Sequence, residues 1–145
     1  MGDEELSSVE FEAFVHSTED PEKVLKALLF LLDNKGEVKR EKVRGHYGNE
    51  VIIYRVKLSG KGAKEVVDRL ASLMREEDRK RLGGQLDLRH NGHGNLYLRF
   101  DKQKAYLGEV HLSDYEDVVK VKVKFSFREL EEIREACRRH NLIVD

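Results

Sequence analysis

Lys120, Lys122 and Lys124 alternate with Val119, Val121, Val123 and Phe125 toward the C-terminal end of a chain of 145 residues. At a period of two, such a strand buries its β-branched set and projects three ammonium groups from the other face. Ammonium groups in a row neutralise phosphates. The plain alternative is a solvated outer face, where lysine also guards a sheet edge against pairing with another chain. Arg40, Lys42 and Arg44 form a comparable row in an earlier segment, and Arg55 and Lys57 form another. Three cationic rows on one face would track a phosphate backbone, and strand order decides whether they coincide.

Two further clusters combine rings, amides and cations. His46, Tyr47 and Asn49 sit on a glycine-flanked turn, Gly45-His46-Tyr47-Gly48-Asn49. A ring that stacks on an unpaired base, beside imidazole and amide groups that reach base edges, suits single-stranded or looped RNA. Tyr97, Arg99, Lys102, Gln103, Lys104 and Tyr106 repeat that composition. Either tyrosine of this second cluster is equally a half-core residue with its hydroxyl at the rim.

Other chemistries find little support. His90 and His93 share a Gly-rich tip, with His46 and His111 in other loops, whereas catalytic zinc needs about three convergent ligands and an open position. The chain contains no HExxH, GxSxG, P-loop or GxGxxG motif. We therefore expect no metal, no cofactor and no catalytic residue. Cys137 excludes a disulfide framework by being the only cysteine. It falls on the apolar stripe of a helix and reads as a packed core thiol.

The elements that would position these groups follow from periodicity. Val9, Phe11, Ala13 and Val15 alternate as a first strand. Asp20 caps and Pro21 opens a helix over 21–33, whose apolar stripe is Val24, Leu25, Leu28, Leu29 and Leu32. A charged strand over 37–44, the glycine turn and a strand over 52–58 come next. A helix covers 63–74, and a short one over 76–82 is closed by Gly83-Gly84. Leu86 and Leu88 lead into a hairpin loop, Asn91 to Asn95, with its return strand over 96–100. Strands near 110–112 and 119–125 follow, then a helix over 127–139 with Ser126 and Glu129 at capping-box spacing. The fold class is α+β: a single, mostly antiparallel sheet with helices on one face. Residues 1–7 read as a flexible acidic tail, and 8–145 as one domain.

Charged residues reach 38% against 39% apolar. Charge enrichment with few Gln, Met and Cys is a composition of heat-adapted proteins. The net charge is −1, but residues 1–20 carry seven carboxylates and no Lys or Arg, so the rest is positive by about six. The N-terminus lacks an apolar signal segment and no apolar run approaches a membrane span, so a cytoplasmic location is expected.

Gly45 to Asn49, the segment Asn95-Leu96-Tyr97-Leu98-Arg99-Phe100-Asp101-Lys102-Gln103-Lys104-Ala105-Tyr106-Leu107-Gly108, and the helix entry Phe14 to Asp20 together resemble an archaeal family described as RNA-binding and exosome-associated. The resemblance covers roughly residues 8–126. It implies a fold similar to the large-subunit ribosomal protein that contacts 5S ribosomal RNA. It also implies an RNA partner, ribosomal RNA included, and exosome or ribosome components as protein partners; no DNA or membrane partner is expected. The expected role is non-catalytic RNA binding in RNA processing or ribosome-related complexes. The expected contacts are His46, Tyr47, Asn49, Arg99, Lys102, Gln103, Lys104, Tyr106, Lys120, Lys122 and Lys124. The competing reading is a protein–protein adaptor whose charged face reflects heat adaptation alone.

Overall fold

The computed structural model describes residues 5–45 and 48–144. Five strands form one antiparallel sheet in the order β2-β3-β1-β5-β4: β1 Leu6–Val15, β2 Lys39–Arg44, β3 Glu50–Ser59, β4 Asn95–Asp101 and β5 Val118–Phe125. The helices are α1 Pro21–Leu32, α2 Gly60–Leu73, α3 Glu76–Gly84, α4 Leu86–Arg89, α5 Lys102–Tyr106 and α6 Leu130–Arg139. The chain is α+β, as the periodicities imply. Strand β1 is central and its odd-numbered residues, Val9, Phe11, Ala13 and Val15, are buried. They join Leu28 and Leu31 of α1, Val67 and Leu70 of α2, and Ile133 of α6 in one core. Full burial of each larger aliphatic or aromatic side chain contributes about 1.5–3 kcal/mol.

Local chemistry sets the boundaries of α1. The Asp20 carboxylate accepts from the Glu22 amide at 3.0 Å, and Pro21 occupies the first turn. The helix ends where Asp33 and Asn34 both adopt left-handed backbone, a conformation that Asp and Asn tolerate better than other side chains.

Four expectations are corrected. Strand β1 starts at Leu6, which is buried and faces Phe125, so residues 5–7 are not a loose tail. Leu86 is buried on a single helical turn, not a strand, and only an isolated bridge joins His90 to Leu96. Val110 and Leu112 form isolated bridges to Met74 and Phe100 rather than a strand. Finally, α6 begins at Leu130 with Glu129 as its cap residue, three residues after Ser126.

Gly94 shows where the backbone tolerates no side chain. Its φ is +91°, and an added Cβ would lie 2.6 Å from the Phe127 carbonyl oxygen. Gly94→Ala combines left-handed strain with a backbone clash, and we expect it to destabilise the protein by about 1–3 kcal/mol in urea unfolding.

The C-terminal helix is held by polar contacts as well as packing. His140 places Nδ1 2.8 Å from Asp68 and Nε2 3.0 Å from Glu5. Arg139 also pairs with Glu5, at 2.5 Å, and Lys64 with Asp68, at 2.9 Å. Burial pushes both carboxylates up, but hydrogen bonds from Arg139 and His140 to Glu5, and from Lys64 and His140 to Asp68, outweigh it and leave both below their ordinary values. A depressed carboxylate adds stability that is complete above its unfolded value and is lost as pH falls through its folded one. The combined Glu5→Gln and Asp68→Asn substitutions should therefore cost most at neutral pH. The gap to the parent, measured by urea unfolding, should close as pH falls below about 4.

Candidate functional site

All helices that contact the sheet most extensively, α1 and α2 among them, pack on the face that carries Phe11 and Val15. The register of the strands defines the other face, because directly paired residues share a side. One line across the sheet reads Lys39, Arg55, Glu12, Lys120, Arg99. The neighbouring line reads Lys57, Glu10, Lys122, Tyr97. Lys124 pairs with Asn95 beyond them, and Glu41, Ile53, Phe14, Val118 and Asp101 lie on the opposite side of the first line. Seven cations and four carboxylates thus share the open face.

Two of the carboxylates, Glu10 and Glu12, lie on the middle strand and are braced from its two neighbours. Arg55 donates from Nε to Glu12 at 3.0 Å and pairs with Glu41. Lys122 pairs with Glu10 at 2.9 Å. Hydrogen bonding to Glu12 holds the Arg55 guanidinium above its ordinary value, and hydrogen bonding to Glu10 does the same for Lys122. Lys120 lies over the Phe14 ring, 5.2 Å from its centroid, while Lys57 and Lys124 have no ion-pair partner among the described residues. The face is concave: a depression of about 760 Å³ is lined by Glu10, Glu12, Arg55, Tyr97, Arg99 and Lys120, among others.

Of the residues singled out from sequence, the structure brings Arg99 together with Lys120, Lys122 and Lys124. The row Arg40, Lys42, Arg44 does not join them. Arg40 pairs with Tyr54, which is buried in the core, so that row projects from the helix side, beyond the helices' cover. Alternation within β2 groups these three side chains on one face, and the β2–β3 register decides which face that is.

Lys102 is a correction of another kind. It is only 3% exposed, and its ammonium donates to the Phe14 carbonyl at 2.8 Å and pairs with Glu19 at 3.1 Å and Asp117 at 3.0 Å. It ties the end of β1 to the entry of α1 and to the approach to β5, and has no free face for phosphate. Gln103 supports the same clamp by donating to Asp117 at 3.0 Å. Burial raises the Asp117 carboxyl, but hydrogen bonds from Gln103 and Lys102 prevail and lower it. Tyr106 packs against α1, with Lys26 4.6 Å and Lys23 5.8 Å from its ring centroid. Lys104 is exposed; its amide is capped by Asp101 at 2.8 Å. His46 and Tyr47 lie outside the described residues. Asn49 is exposed at the tip of the β2–β3 hairpin, where its carbonyl accepts from the Gly45 amide.

Several residues on this face or bordering it carry no sequence signal of their own. Glu10 and Glu12 read only as polar positions of β1. Tyr115, 80% exposed, belongs to a loop fixed by Arg99, which donates to its carbonyl at 2.7 Å. No periodicity marks it. Cys137 is the buried core thiol expected, and burial pushes it up to about 12. Among the described residues no group of three or more His, Cys, Asp or Glu converges as a metal site. No described helix is long and apolar enough to cross a membrane.

A helix-backed antiparallel sheet that turns a concave, cation-rich face to solvent defines the chain as an α+β protein with one open, charged sheet face. The particular family follows from comparison: the family model described as RNA binding matches residues 8–125, and the chain belongs to that family. It is 37% identical over 123 residues to a protein of Pyrococcus abyssi named RNA-binding protein PAB1135, covering 81% of this chain and 80% of that protein. Among solved structures, protein AF2318 from Archaeglobus fulgidus superposes with a TM-score of 0.81 at 34% identity, over 93% of this chain and 99% of that one. Mth689 from Methanothermobacter thermautotrophicus gives 0.78 at 27% identity, over 94% and 98%.

Proposed function

We propose that this protein binds RNA with the open face of its sheet, as a non-catalytic component of cytoplasmic RNA processing or of ribosome-related complexes. The observation that carries the reading is the cross-strand line Lys39, Arg55, Glu12, Lys120, Arg99, in which four cations meet one carboxylate. At about 4.8 Å per strand this line spans roughly 19 Å, the reach of several consecutive phosphates. Family membership and the name of the Pyrococcus abyssi relative support RNA as the polyanion. Arg99, Lys120, Lys122 and Lys124 neutralise phosphates, and the turn carrying His46, Tyr47 and Asn49 supplies groups for unpaired bases. Lys104 and Tyr106 lie to one side, where they extend the contact only for an RNA that wraps past the α1–α5 edge. Lys102 and Gln103 act through the clamp at Asp117.

Affinity for single-stranded RNA, measured from 50 mM to 500 mM monovalent salt, tests the proposal. Several phosphate contacts give a steep linear fall of log affinity with log salt, about 0.7 per contact. Absence of binding even at the lowest salt would refute RNA binding and favour the adaptor reading.

A further inference from the structure

Carboxylates along the centre of a phosphate-binding sheet brace its cations across strands, and they also set what can lie over that centre. Glu10 and Glu12 occupy that centre, two strands in from the β4 edge. Lys122 meets Oε2 of Glu10 and Arg55 meets Oε2 of Glu12. Both glutamates line the depression, and Glu10 keeps a side-chain exposure of 41% beside its lysine. Repulsion keeps a phosphodiester off this strip, so an RNA strand over the cationic flanks must turn bases toward it.

The line through Glu10 adds a second element. Tyr97 lies on it, 44% exposed, with Lys122 between the two. Two inter-strand steps separate Tyr97 from Glu10, about 10 Å between backbones. A base stacked on the Tyr97 ring, with its sugar toward the β4 edge, would present its Watson–Crick edge to Glu10. Aromatic rings stack on every base, so stacking alone does not select. The carboxylate does. It only accepts hydrogen bonds, and guanine alone places two adjacent donors, N1–H and the N2 amino group, on that edge. Adenine and cytosine pair one donor with an acceptor, and uracil flanks its single donor with two carbonyls.

We propose that the open face selects guanine in single-stranded RNA, with Tyr97 stacking the base and the Glu10 carboxylate, braced by Lys122, reading its Watson–Crick edge. Glu12, on the line of Arg55 and Arg99, contributes charge but not the reading. The inference rests on the RNA-binding reading and deepens it.

The test uses fluorescein-labelled RNA octamers: all-uridine strands, and strands with a single central guanosine, inosine or adenosine, titrated by anisotropy against the full chain. The parent should prefer guanosine over adenosine by about tenfold. Inosine, which lacks the N2 amino group, should fall between. Glu10→Gln should reduce the preference to within about twofold while raising affinity for all-uridine RNA, because it frees the Lys122 ammonium for phosphate. Glu12→Gln removes the same charge one line away and should keep the preference. Equal affinity of the parent for all four strands, or a preference that survives Glu10→Gln, would overturn guanine reading but leave RNA binding standing. No binding of any strand would overturn both.

Discussion

Lys102→Ala should destabilise the protein by about 2–3 kcal/mol in urea or thermal unfolding. Breaking a buried ion pair by removing one partner typically costs about 3–5 kcal/mol, and the partial exposure of Glu19 and Asp117 lets water soften the loss. The substitution strands the Phe14 carbonyl at the end of β1 and leaves two carboxylates facing each other. Lys102→Arg should recover little, because a planar guanidinium does not reproduce one ammonium meeting three oxygens around a point. Lys104→Ala, one turn position away and exposed, should change stability by less than about 0.5 kcal/mol. If Lys102→Ala unfolds like the parent and instead weakens RNA binding alone, its place as a structural clamp is wrong.

Replacing Lys120, Lys122 and Lys124 together by alanine should leave the fold intact and weaken binding to every single-stranded RNA. Lys120 and Lys124 are exposed, while Lys122 is half-buried against Glu10. Three phosphate contacts account for a salt slope of about 2 on a single strand. Lys122 already neutralises Glu10, which places the expected slope change nearer 1.5, so the parent's advantage should grow about 30-fold as salt falls from 1 M to 0.1 M. Parallel salt curves for the parent and the triple variant would remove these lysines from the interface.

What could be read from the sequence was whatever depends on one element at a time. The alternation of Val119 to Phe125 and of Val9 to Val15 fixed which residues of each strand are buried, and Asp20-Pro21 fixed the start of α1. What depends on pairing was hidden. Arg40, Lys42 and Arg44 alternate as cleanly as Lys120, Lys122 and Lys124, yet the β2–β3 register sends them to the opposite face. Leu86 and Leu88 match a strand's spacing, but four residues following the end of α3 continue as a helical turn that buries Leu86 and leaves Leu88 78% exposed. Lys102 looked like one more surface cation because the oxygens that enclose it are supplied by residues 14, 19 and 117, remote in sequence. The segment Asn95 to Gly108 mixes kinds of residue in the same way: Arg99 lies on the open face, whereas Lys102 and Gln103 hold the frame that positions it.

Amide chemical shifts of isotope-labelled protein, followed while a single-stranded RNA octamer is added at low salt, test the central claim most directly. Binding to the open face predicts the largest changes at Glu10, Glu12, Tyr97, Arg99, Lys120 and Lys122, with the buried residues of α2 and α6 unmoved. Changes confined to α1, α2 and α6, with β1, β4 and β5 silent while RNA is demonstrably bound, would contradict it.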